Sequence, residues 1–92
     1  MGTPQNSLVK DFNWVLNGII KGEMLSVPTE TSLDEQTTDV LNLLAQQPNP
    51  KRPADIRACR IEFARQLDGT HYREDQQADA EEWDELLRQV RG

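Results

Sequence analysis

The chain holds one cysteine, Cys59, and one histidine, His71. A single cysteine excludes an intrachain disulfide, so the fold must be held by its core, and nothing implies an oxidising compartment. No apolar run approaches the ~20 residues that cross a bilayer. The chain also lacks the basic start and apolar stretch that mark a secretory leader, so a cytoplasmic location is expected. Glycine-rich phosphate loops, dinucleotide fingerprints and nucleophile elbows are absent, and with them the sequence signals of the common nucleotide-binding and hydrolytic sites.

What the chain does have is charge, mostly acidic. Ten Lys and Arg stand against sixteen Asp and Glu, a formal net charge of −6. Such a surface repels phosphate backbones and anionic membranes, so direct nucleic-acid or membrane binding is disfavoured. The charge is unevenly spread. Residues 51–65 carry Lys51, Arg52, Arg57, Arg60 and Arg65 against Asp55 and Glu62, and residues 68–85 are strongly acidic. The two stretches are expected to face and partly neutralise each other.

At 92 residues the chain has room for one core, and we read 1–92 as a single helical domain. Residues 1–6 are expected to fray. A first helix is predicted over about 7–21, with Leu8, Val9, Phe12, Val15, Leu16, Ile19 and Ile20 on one arc and Gly22 as its terminator. Gly18 weakens this helix but permits close approach of another segment. Residues 22–31 form a connector whose Met24, Leu25 and Val27 are expected to tuck under the bundle. Ser32 and Glu35 have the spacing of a capping box, which predicts a second helix over about 33–46 with Leu33, Val40, Leu41 and Leu44 inward.

Prolines 48, 50 and 53 make residues 46–53 a stiff inter-helix linker. A third helix is predicted over about 54–68, with Ile56, Cys59, Phe63, Ala64 and Leu67 as its apolar stripe. A fourth is predicted over about 72–90, with Tyr72, Ala80, Trp83, Leu86, Leu87 and Val90 aligned. Four amphipathic helices with short connections describe an all-α bundle.

Few residues suggest chemistry. His71 lies one helical turn before Asp75, a geometry for an oriented general base, but no nucleophile accompanies it. His71, Asp75, Asp79 and Glu82 follow one another along the last helix without the convergence a metal needs, so they read as solvated acids. Cys59 falls on a core stripe, where a thiol is structural and unreactive. We therefore expect no catalytic residue, no metal and no cofactor.

Two side chains break the pattern. Trp14 falls opposite the apolar stripe of the first helix, among Lys10, Asn17 and Lys21. A displayed tryptophan buries a large area at little entropic cost, which suits a binding anchor. Arg60 projects inside the apolar arc of the third helix, where a charge requires a partner; Asp79 is the expected one, in a structural ion pair. The sequence thus points to a small acidic interaction module, an adaptor, regulatory subunit or inhibitor that binds another protein, with homodimerisation through the broad apolar arc of the first helix as a further option. The alternative is an acidic mimic of DNA that binds a basic site on a nucleic-acid-processing protein through Glu74, Asp75, Glu81, Glu82 and Glu85.

Overall fold

The computed structural model describes the backbone of residues 4–68 and 77–91 and the side chains of 7–66 and 80–91. Among the described residues four helices follow one another: α1 (Pro4–Lys21), α2 (Glu35–Ala45), α3 (Pro53–Asp68) and α4 (Gln77–Arg91). Among the described residues there is no strand, so the class is all-α, a small bundle. The most extensive pairing is α3 on α4, and α2 touches all three other helices.

The apolar period of α1 is used as its spacing dictates. Phe12, Val15, Leu16 and Ile19 are buried, with Leu8, Val9 and Ile20 packed at the margin. α1 begins at Pro4, so it also takes in residues 4–6, which sequence periodicity left outside it. A proline is harmless in a first turn, whose N–H groups have no intrahelical acceptor. At the other end Gly22 adopts φ +76°, the left-handed conformation that closes a helix, and its N–H donates to the Ile19 carbonyl. Within the apolar arc Phe12, Val15, Leu16 and Ile19 are covered by the domain itself, and Leu8, Val9 and Ile20 are covered in part.

The connector doubles back along α1. The amides of Glu23 and Met24 both donate to the Gly18 carbonyl. A Cβ on Gly18 would stand 3.1 Å from the Met24 methyl, so the close approach permitted by this glycine is used by the chain's own connector. Val27 is buried and its N–H donates to Asn42 Oδ1 at 2.6 Å, which ties the connector to α2. Leu25, expected to tuck inward, is 78% exposed. The chain bends at Leu25 and Ser26, so these two residues do not continue an extended run, and Val27 after the bend supplies the inward apolar side chain.

The start of α2 corrects the capping box expected at Ser32. Asp34 is the cap: its Oδ1 accepts from Thr37 N–H at 2.6 Å, and the helix proper begins at Glu35. Ser32 is turned away, its N–H and hydroxyl both donating to Asp11 Oδ2 at 2.8 Å. A carboxylate cap outcompetes a hydroxyl two residues earlier because it brings a full charge to the helix dipole. Asp34→Ala is expected to lower the unfolding free energy by about 1 kcal/mol. Ser32→Ala, at an exposed site, should lower it by clearly less. Urea denaturation compares the two, and an equal or larger loss for Ser32→Ala would reinstate Ser32 as the cap.

The linker after α2 is held from within. Lys51 is buried, and its ammonium donates to the carbonyls of Ala45, at 3.3 Å, and Gln47. A cation there satisfies the free carbonyls that end a helix. The linker contains a cis Asn49–Pro50 bond and ends at Pro53, the first residue of α3.

α3 departs most from expectation. Its buried residues are Asp55, Ala58, Cys59, Glu62 and Phe63, while Ile56 is half-buried and Ala64 exposed. At about 100° per residue the inward face is turned by roughly a quarter of a turn from the one that apolar residues alone define. Arg60, placed by that pattern inside the apolar arc, is exposed. It needs no buried partner, and the side chain of Asp79 lies outside the described residues. The rotation is possible because both buried acids are neutralised by arginines: Arg52 reaches Asp55 at 2.7 Å, and Arg65 grips both oxygens of Glu62 at 2.6 and 2.8 Å.

On α4, Trp83 and Leu86 are buried and Leu87 and Val90 pack at the edge, as expected; Tyr72 lies outside the described residues.

Candidate functional site

Trp14 stands on the outer face of α1 and is 60% exposed, although it is one of the largest apolar side chains of the protein. Its exposure follows from its register. Phe12, Val15, Leu16 and Ile19 claim the inward arc, and at about 100° per residue Trp14 falls roughly opposite its centre. The backbone beneath it is an 18-residue helix anchored on the core, so the indole is displayed on a rigid support.

The structure places Lys10, Asn17 and Lys21 where the sequence did. All three are exposed, four residues before and three and seven after Trp14. At about 100° per residue they occupy one edge of the tryptophan. Neither lysine joins an ion pair among the described residues. Asn13, exposed on the same side, extends the edge.

The other edge was not foreseen. The returning connector runs beside Trp14, and together they form a cleft of about 230 Å³ lined by Asp11, Trp14, Pro28, Glu30 and Thr31. Asp11 is fixed there by the two Ser32 bonds, which hold its carboxyl below the ordinary aspartate range: the backbone N–H contributes most and the hydroxyl next. Sequence spacing could have suggested Asp11, one turn before Trp14. It gave no signal for Pro28, Glu30 or Thr31, which arrive through the fold.

The acidic face of α4 is less continuous than its composition. Glu81 is exposed, but Glu82 is half-buried and accepts from Arg52, and Glu85 accepts from Arg88 Nε at 3.1 Å. Both Arg52 and Arg88 have guanidinium pKa values raised by these carboxylates: for Arg52 Asp55 acts first and Glu82 next, and for Arg88 the cause is Glu85. Glu74 and Asp75 lie outside the described residues, as does His71 with the base geometry suggested for it.

No protein-family profile, curated protein or solved structure matches this chain.

Among the described residues no three His, Cys, Asp or Glu side chains converge as metal ligands, and no helix is long and apolar enough to cross a membrane. Cys59 is fully buried, and burial, then the charge of Asp55, pushes its thiol up to about 12, against a smaller opposing pull from Arg60. At neutral pH it is a protonated packing residue and carries no nucleophilic character. A second concave feature lies between α2 and α4, about 280 Å³, lined by Glu35, Gln36, Asp39, Leu87, Val90 and Arg91. It is open and mixed in polarity, and no buried polar group is aimed into it.

Proposed function

We propose that this protein is a cytoplasmic interaction module, an adaptor or regulatory subunit, that docks another protein through the outer face of α1 with Trp14 as anchor. One observation carries the reading: an exposed tryptophan held on a rigid helix and flanked on both edges by polar side chains. That is the composition of an interface hot spot, an apolar centre with a hydrated rim. The single thiol, buried and unreactive, suits a reducing compartment. Among the described residues no cluster of polar side chains favours an enzymatic reading over this one.

The acidic-mimic alternative loses ground on one point. Two of the three described carboxylates of its face, Glu82 and Glu85, are already paired with arginines. An imitation of a phosphate backbone requires acids free along a continuous surface.

Trp14→Ala is expected to change stability by less than about 0.5 kcal/mol, because the side chain is mostly solvated, yet to weaken partner binding by at least about tenfold. The measurement is capture on the purified protein at low and high salt, followed by titration of the captured partner against wild type and variant. Retention at high salt with loss in Trp14→Ala supports the anchor. Binding that collapses with salt, survives Trp14→Ala and is lost on charge reversal at Glu81, Glu82 and Glu85 establishes the mimic instead.

A further inference from the structure

The cleft beside Trp14 has a chemistry of its own. Its walls are one indole, one proline, one threonine and two carboxylates, with no cation among them. At about 230 Å³ it is smaller than the roughly 300–1,000 Å³ typical of small-molecule sites and suits a single inserted side chain. Lys10 and Lys21, the nearest cations in sequence, project from the opposite edge of Trp14: at about 100° per residue Asp11 falls about 60° to one side of it and Lys10 about 40° to the other. The two edges therefore differ in sign, acidic toward the connector and basic away from it.

Asp11 is positioned for a ligand. Both Ser32 donors go to Oδ2, and no donor among the described residues reaches Oδ1. Glu30, exposed across the cleft on the connector, takes no ion pair among them either. Two carboxylates and an indole lining one cleft offer a receptor for a cation: a cation stacked on the indole is attracted by the aromatic quadrupole, and the carboxylates accept its N–H groups. Of the biological cations, guanidinium fits best, because its plane stacks on indole while its fork addresses a carboxylate.

Building on the Trp14 reading, we propose that the cleft formed by Asp11, Trp14, Pro28, Glu30 and Thr31 receives an arginine side chain of the partner protein. The basic edge at Lys10 and Lys21 then meets an acidic residue beside that arginine, and this two-sign pattern fixes the orientation of docking.

The test needs no knowledge of the partner. The full chain, labelled with nitrogen-15, is titrated with N-acetyl-arginine methylamide while the Trp14 indole N–H and the Ser32 backbone N–H are followed by NMR. The norleucine and glutamate analogues serve as controls for apolar and anionic contact. The arginine probe is expected to shift both signals saturably with a Kd in the millimolar range, as suits one side chain. The controls should not do so. Glu30→Gln, which alters an exposed residue and leaves the fold intact, should weaken the arginine probe by roughly threefold or more; Asp11→Asn should do the same. Equal shifts from the norleucine probe, no response to the arginine probe, or unchanged affinity in Glu30→Gln would each overturn the arginine cleft. Those failures leave Trp14-dependent capture of a partner untouched, so the two proposals fall separately.

Discussion

Phe12→Ala is expected to lower the unfolding free energy by about 4 kcal/mol. A 92-residue domain is stabilised by about 5–14 kcal/mol in total, so the variant is brought close to unfolding at ordinary temperature. Phe12 is 1% exposed, and its ring lies on that of Phe63 with centroids 4.0 Å apart and planes 4° from parallel. This contact joins α1 to α3. Parallel rings in close register are not the favoured arrangement of aromatic quadrupoles, so the contact derives its strength from excluded water and dispersion more than from ring electrostatics. Phe12→Leu, which keeps most of the buried volume, is accordingly expected to cost only about 1 kcal/mol. Denaturant unfolding of the two variants separates the terms. A loss below about 1 kcal/mol for Phe12→Ala would show that α1 does not pack on α3 through this ring.

Arg52→Ala is expected to cost about 2–3 kcal/mol, although its side chain is 60% exposed. An exposed arginine contributes little through its own screened attraction. The effect comes from what it leaves behind. The Asp55 side chain is 2% exposed; Oδ1 accepts from Arg52 at 2.7 Å, and Oδ2 finds no donor among the described residues. Without Arg52 both oxygens of a carboxylate sit in the core with no side-chain donor, eased only by the positive end of the α3 dipole. Arg52 also bridges to Glu82, so the same substitution removes a tie between the start of α3 and α4. Asp55→Asn, which withdraws the charge and keeps the shape, should be milder than Arg52→Ala. The double variant Arg52→Ala with Asp55→Ala should lose less than the sum of the two single losses. Strict additivity in that cycle would mean that the two residues act independently and that the pair does not anchor α3.

This pair also explains why α3 was the least legible helix. Sorting residues by apolarity assigns Asp55 and Glu62 to solvent and pulls the inferred face toward Ile56, Ala64 and Leu67. In the fold each buried acid is compensated by an arginine three residues away, and the helix turns to place Ala58, Cys59 and Phe63 around them. The error about Arg60 has the same origin: once the helix is turned, its position faces water. Ser32 differs from its local pattern as well: its spacing to Glu35 is that of a capping box, but its acceptor, Asp11, lies 21 residues away.

Sequence alone determined the four helices, their order, the inward arcs of α1, α2 and α4, and the outward placement of Trp14. These depend on period 3.6 within a few turns of one helix, information carried by near neighbours. Tertiary structure alone decided which face of α3 is buried, what ends the connector, and that Asp11 and Glu30 flank the tryptophan. The connector rests on a contact 21 positions apart, Ser32 with Asp11, and the tie of α3 to α4 on one 30 positions apart, Arg52 with Glu82, whereas the face of α3 depends on pairing its buried acids with arginines three residues away. A loop can line a cleft only when it returns from elsewhere in the chain, and a charge can enter a core only when a side chain of opposite sign pairs with it; apolar periodicity records neither the return nor the pairing.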